Sequence, residues 1–222
     1  MQKTAILIGA TGLTGSILLE KLIKDERYKT IKLFSRKKID GLPAKVEQFI
    51  GDILNLESFK SDFIADEVFC CIGTTAKKTP NKTAYKQIDY GIPVTAAGLA
   101  KANNINTYIV VSALGANAKS SIFYNKTKGE MERDVLKLDI KNTYILQPSI
   151  IGGARKETRI GEKIGLTVFK LLQPLFIGKL KKYQLIEAET IALAMVKLAN
   201  SNASKENRIT SNKIKEIAKI NN

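Results

Sequence analysis

The chain has 222 residues, 44% of them hydrophobic, with 36 Lys and Arg against 21 Asp and Glu, two Cys and no His. That length fits one domain with a real core, and the absent imidazole excludes Ser-His-Asp and Cys-His catalysis, HExxH zinc sites and His-ligated iron, leaving acid–base work to Tyr, Lys, Cys or carboxylates with no metal expected. The formal charge of +15 is carried mostly by Lys spread along the whole chain, without a basic tail or an aromatic-interleaved basic stripe, and reads as solvated surface rather than a nucleic-acid face.

In chain order, Thr4 to Ile8 is an apolar run ending at Gly9, and a helical pattern follows from Leu13 to Lys24. The internal glycines at 9 and 12 set this start apart from a signal peptide. Further strands are predicted over Ile31–Phe34, Val46–Ile50 and Val68–Ile72, the last ending at Gly73. Cys70 and Cys71 lie in that run; as adjacent strand residues they point to opposite faces, so they read as core filler in a reducing compartment rather than a disulfide or half a metal site. A helix is expected over Ile88–Ala102, with Asp89 able to cap it and Pro93 tolerated in its first turn. Then come a strand over Thr107–Val111, a long helix over Ile122–Leu138 and a strand over Thr143–Leu146. Helices over Gly161–Leu172, Glu187–Ala199 and Ser211–Ile220 complete the pattern. No run of 18 apolar residues suits a membrane span. Continuous apolar strands separated by helices predict a parallel sheet covered on both faces, a doubly wound α/β Rossmann fold.

The segment Gly9-Ala10-Thr11-Gly12-Leu13-Thr14-Gly15 joins the first strand to the first helix. Its glycines allow a tight turn and close backbone approach, and the helix start then offers free N–H groups and partial positive charge to a pyrophosphate. In this strand–turn–helix context the GxxGxxG spacing reads as a dinucleotide cradle rather than a mere turn. The second strand ends in Phe34-Ser35-Arg36-Lys37-Lys38, where the usual ribose-binding carboxylate is missing and cations stand instead. Arg36 can pair with a 2′-phosphate, so NADP(H) is expected over NAD(H); the alternative is ordinary basic surface. Asp52, with Ile53 beside it, can accept from an adenine amino group or cap a following helical segment. Gly73 would admit the backbone to the cofactor, with hydroxyls from Thr74 and Thr75. The whole chain 1–222 thus reads as one cofactor-binding domain, its segment 150–222 contributing a small C-terminal substrate region.

Tyr124 and Lys128 are four apart, on one face of the helix that follows the fifth strand, and Met131, Val135 and Leu138 continue that face. Its N-terminal end opens to the crevice at the strands' carboxyl ends. A Tyr hydroxyl needs a neighbouring cation to act near neutral pH, and Lys128 supplies one while also holding the nicotinamide ribose. Ser112, just past the fifth strand, can hydrogen-bond the substrate oxygen. Spacing alone decides little, because Tyr28 and Lys32 match it too, in a place with no catalytic sense.

Together, the Gly9–Gly15 turn, Ser112 and Tyr124-Asn125-Lys126-Thr127-Lys128 resemble the short-chain dehydrogenase/reductase superfamily in its atypical branch. Within that branch the chain looks like the Tat-interacting-protein group, through Cys70-Cys71-Ile72-Gly73-Thr74-Thr75, Ile88-Asp89-Tyr90 and the run Arg155-Lys156-Glu157-Thr158-Arg159-Ile160-Gly161-Glu162. The resemblance implies NADPH binding, a Ser112–Tyr124–Lys128 reductase or dehydrogenase site, and a nicotinamide pocket lined by Pro148 and Ile151. It also marks a departure: many members carry Asn where Asp89 stands. Arg155 and Arg159 can bind an anionic substrate group or pair with Glu157 and Glu162.

The expected function is an NADP-dependent oxidoreductase acting on a carbonyl or hydroxyl of a small molecule, with Tyr124 as acid/base. The alternative is a non-catalytic NADP-binding sensor or regulatory interaction protein. A nucleotide-sugar epimerase is less favoured because the segment after residue 150 is short for a sugar-nucleotide domain. No nucleic-acid or membrane partner is expected, the chain being a monomer or homodimer, and its location is read as cytoplasmic.

Overall fold

The computed structural model describes residues 2–153, 184–200 and 206–220. Strand β1 (Lys3–Ile8) leads through the glycine turn into helix α1 (Leu13–Lys24), then β2 (Tyr28–Ser35), β3 (Val46–Ile50) and a 3-10 segment over Ile53–Phe59. Next come β4 (Glu67–Cys70), α2 (Lys82–Lys86), a π-helical turn over Gln87–Gly91 and α3 (Ile92–Ala102). Strand β5 (Thr107–Val111), α4 (Phe123–Lys137) and β6 (Asn142–Gln147) follow. The short β7 (Ile151–Gly152) pairs with β8 (Ile186–Glu187), and α5 (Ala188–Asn200), β9 (Arg208–Thr210) and α6 (Ser211–Lys219) complete the described chain.

The main sheet runs β3-β2-β1-β4-β5-β6-β9, each neighbouring pair parallel. This is the doubly wound order, reversing direction between β1 and β4, where such folds open a ligand crevice at the carboxyl ends of the strands. The pleat sends Ala5 and Leu7 of β1 to one face, where they join residues of α1, α5 and α6, and Ile6 and Ile8 to the other, beside α3 and α4. Both faces are therefore covered, which is why the strands carry no polar alternation. Cys70 packs on the α3/α4 side and Cys71 on the α1/α5 side, both thiols free.

Two sequence expectations change. The helix expected to start at Ile88 begins earlier, where Asn81 caps it by accepting from the Ala84 N–H at 3.0 Å. Asp89 is no cap; it lies within the run, inside the π turn. Pro93 accounts for the irregularity, since it offers no N–H to the carbonyl of residue 89 four positions back. The seventh strand, β9, is only three residues long, too short for a periodic signal, and is fixed by pairing Ile145 with Arg208, Leu146 with Ile209 and Gln147 with Thr210. The helix expected over Gly161–Leu172 lies outside the described residues, as do Arg155 and Arg159. Among the described residues no helix is long and apolar enough to cross a membrane.

Candidate active site

The glycine turn sits at the carboxyl end of β1. Gly9 has φ +89°, and a Cβ there would stand 2.8 Å from the Cys71 carbonyl carbon; a Cβ on Gly15 would stand 2.1 Å from the Gly9 oxygen. Only glycine fits either place. The Gly12 N–H closes the turn on the Gly9 oxygen at 3.0 Å, and the first bond inside α1 runs from the Ser16 N–H to the Gly12 oxygen at 2.8 Å. The N–H groups of Leu13, Thr14 and Gly15 thus have no carbonyl within the helix to meet. Gly12 supplies no side-chain cap, and the first turn holds no acidic residue. An uncapped, uncompensated helix start suits an anion, and the pyrophosphate of a dinucleotide fits it. Thr11 is exposed beside this turn, and Gly153, after β7, brings its backbone against the Leu13 side chain.

The other loops at this end of the sheet converge as the topology requires. Arg36 is exposed past β2, with no ion pair among the described residues. Asp52 is exposed past β3 and accepts from the Leu54 N–H at 3.0 Å, so it does cap the 3-10 segment, while Ile53 is buried. Pro148, past β6, is buried, its carbonyl accepting from Leu114 N–H at 2.8 Å, and Ile151 is half-buried.

Past β4 and β5 the structure assembles a charged cluster. Asp89 and Lys128 form an ion pair of 2.9 Å with side chains 1% and 5% exposed. The second Asp89 oxygen accepts from the Thr74 N–H at 2.7 Å, which fastens the β4 loop to the π turn. Gly73 is adjacent: a Cβ there would lie 3.5 Å from Asp89 Oδ1 and 3.9 Å from Lys128 Nζ. Burial alone would lower the Lys128 pKa, but the charges of Asp89 and Tyr124 and the Asp89 hydrogen bond together hold it above its ordinary value. Tyr124 stands one turn before Lys128. The residue is 40% exposed; burial of part of it raises its pKa, Lys128 opposes that, and Asp89 adds to it. Among the described residues the Tyr124 hydroxyl has no hydrogen-bond partner.

Ser112 is brought to the same helix, one turn deeper. Its hydroxyl donates to Glu132 Oε1 at 2.6 Å. Glu132 also accepts from Gln147 Nε2 at 2.9 and 3.0 Å and pairs with Arg208 Nε at 2.8 Å, its own side chain 2% exposed. Glu132, Gln147 and Arg208 belong to no motif legible in the sequence, and Asp89 has no partner there. One signal was present: Tyr124, Lys128 and Glu132 are spaced four apart on a single helix face.

A family model described as NAD(P)H-binding matches residues 9–151, from the glycine turn through β7's first residue. The chain belongs to this NAD(P)H-binding family. Among its relatives, the protein FMP52, mitochondrial, of Candida albicans is 34% identical over 171 residues, covering 74% of this chain and 75% of that one. The HTATIP2 protein of Rattus norvegicus is 29% identical over 171 residues, covering 75% and 70%. The Tat-interacting-protein resemblance therefore holds, within the atypical short-chain dehydrogenase/reductase group. Among solved structures, UDP-glucose 4-epimerase of Thermotoga maritima, with UDP-glucose, superimposes with a TM-score of 0.69 at 14% identity, covering 97% of this chain and 81% of that one. The Helicobacter pylori ADP-L-glycero-D-manno-heptose-6-epimerase gives 0.68 at 16% identity, covering 98% and 82%. These two share the fold. The expected cytoplasmic location is corrected: it conflicts with the fungal relatives, several of which carry "mitochondrial" in their names.

Proposed function

We propose that this NAD(P)H-binding protein is an oxidoreductase that uses NADP(H) to reduce a carbonyl of a small molecule, with Tyr124 as the proton donor. The observation that carries the reading is the buried Asp89–Lys128 pair set one helical turn from a half-exposed Tyr whose hydroxyl has no partner among the described residues. Burial raises the Tyr124 pKa and the Lys128 charge works against that rise, so Lys128 is the group that favours release of the proton to a carbonyl oxygen.

Leu13, Thr14 and Gly15 N–H groups would hold the pyrophosphate, Arg36 a 2′-phosphate, and Lys128 the nicotinamide ribose. Bound NADPH supplies the hydride. Tyr124 would give its proton to the carbonyl oxygen, and the Lys128 ammonium would steady the tyrosinate that remains. Asp89 keeps Lys128 charged and fixed. The half-exposed Tyr124 then regains a proton from water. Arg36 supports NADP over NAD because it replaces the usual carboxylate.

Titration of both reduced cofactors by fluorescence, followed by a carbonyl screen at the nicotinamide absorbance, tests the reading. NADPH should bind at least about tenfold more tightly than NADH, the size of one charge-assisted contact, and Arg36→Ala should erase the difference. Equal affinity for both, or no turnover across the screen, contradicts it. The second reading, a cofactor-bound regulator without chemistry, draws on one observation: the Ser112 proton is committed to Glu132, so the serine offers a substrate only lone pairs.

A further inference from the structure

A cleft of about 400 Å³ opens directly beside Tyr124, between the β4 loop, α2 and the first turn of α4. Its volume is near the lower end of the range for pockets that house small organic ligands. What its wall offers to a ligand can be read from the hydrogen bonds already made there. Thr74 and Thr79 join their hydroxyls at 2.9 Å. Thr75 Oγ1 accepts from the Lys78 N–H at 3.3 Å, and the Tyr85 hydroxyl donates to the Thr74 carbonyl at 3.3 Å. These bonds use the Tyr85 hydroxyl proton and one hydroxyl proton of the Thr74–Thr79 pair, and the rest of the wall is methyls, Pro80 and the rings of Tyr85, Phe123 and Tyr124. Tyr85 and Phe123 meet edge to face with centroids 5.5 Å apart, a geometry that leaves ring surface for a third apolar group.

Besides the threonine hydroxyls that still have a proton to give, two groups of the wall have no hydrogen-bond or ion-pair partner among the described residues. One is the Tyr124 hydroxyl, at the end next to Lys128. The other is Lys82, exposed at the rim, its ammonium 5.6 Å from the Phe123 ring centroid and without a carboxylate partner among the described residues. Its neighbour Lys86, by contrast, is spent on Glu130 at 2.7 Å.

We infer that the cleft selects aromatic or similarly compact apolar carbonyl compounds and alcohols that carry an acidic group, the reacting oxygen meeting Tyr124 and the acid meeting Lys82. This rests on the proposed oxidoreductase reading and names its substrate class. It also separates this chain from polyhydroxylated substrates: a sugar needs many outward hydrogen-bonding groups, and this wall is mostly apolar.

The test is equilibrium binding, by calorimetry, of three alcohols that do not react with lysines: 4-(hydroxymethyl)benzoate, benzyl alcohol and xylitol. Each is titrated into the intact protein alone and with saturating NADPH, whose own binding is measured in the same preparation. The expected order is 4-(hydroxymethyl)benzoate, then benzyl alcohol, then xylitol without measurable binding. Lys82→Gln should bring the first two together, a loss of about two- to fivefold, as for an exposed ion pair. Phe123→Ala should weaken both aromatic ligands roughly tenfold. Xylitol binding as well as the aromatics, or an acid preference that survives Lys82→Gln, overturns the assignment. So does the absence of aromatic binding in a protein that binds NADPH. Aromatic binding without any turnover, either of these alcohols with NADP+ or of carbonyl compounds with NADPH, upholds the cleft and instead contradicts the oxidoreductase reading.

Discussion

The molecule holds two clusters of Tyr, Lys and carboxylate, at opposite ends of the same strands. At the amino-terminal ends, the Tyr28 hydroxyl donates to Glu67, Lys3 pairs with Glu67 at 3.0 Å, and Asn200 donates to the Tyr28 oxygen at 2.7 Å. Lys3 also bonds the Ala199 carbonyl and the Asn200 side chain, so the cluster fastens the end of α5 to the sheet. At the carboxyl-terminal ends stand Tyr124, Lys128 and Asp89. The residue types match, and the wiring differs. Tyr28 is 1% exposed and fully bonded, whereas Tyr124 is 40% exposed with its hydroxyl unclaimed among the described residues. Burial and the Glu67 carboxylate drive Tyr28 far above the usual tyrosine range, out of reach of proton transfer. Lys128 pulls Tyr124 back against its burial. A satisfied triad is a staple; the same groups with one valence left open form the site we propose as reactive.

Substitutions should break this contrast by different amounts. The largest stability loss is expected for Lys128→Met, which strands the buried Asp89 carboxylate: about 3–5 kcal/mol by denaturant unfolding. Lys3→Met should cost less, about 1–3 kcal/mol, because Tyr28 still donates to Glu67 and burial already inclines that carboxyl to take up a proton. The tyrosines should reverse roles between assays. Tyr28→Phe is expected to cost about 1–3 kcal/mol and leave turnover intact, since it removes one hydrogen bond each from Glu67 and Asn200; Tyr124→Phe should stay within about 0.5 kcal/mol of wild type. Glu132→Ala should cost about 1–3 kcal/mol and speed amide exchange in Arg208–Thr210, because it releases Arg208 from α4.

The smallest effects are in pH. Both Lys128 and Glu67 have raised pKa values in the fold. For each, the stability contribution is full below the unfolded value and is lost as pH rises through the folded one. Lys128 therefore places its loss above its ordinary value of 10.5, and Glu67 above its ordinary 4.5. Unfolding curves should show both limbs, the alkaline one, which buried tyrosines share, reduced in Lys128→Met and the acid one reduced in Glu67→Gln.

Much of the scaffold is legible in the sequence. Helix Leu13–Lys24 and strands Val46–Ile50 and Thr107–Val111 fall where the pattern puts them, because long helical periods and continuous apolar runs are read locally. The decoy pair Tyr28 and Lys32 is resolved by position: Lys32 donates to the Asp62 carbonyl at 3.1 Å and lies over the Phe49 ring. What escapes the sequence depends on distant segments meeting. Asp89 reaches Lys128 only because a π turn re-aims it, and Glu132 gathers partners from β5, β6 and β9. The cleft beside Tyr124 escapes for another reason, since its apolar character comes from threonines and a tyrosine that bond one another.

The central claim is that Tyr124 delivers the proton. With any carbonyl compound that wild type reduces, single-turnover NADPH oxidation by Tyr124→Phe measures it directly, with unfolding midpoints and NADPH affinity taken alongside. The account predicts a rate about 10²- to 10⁴-fold lower, with stability and cofactor affinity preserved. An undiminished rate in a folded, NADPH-bound Tyr124→Phe protein would contradict it.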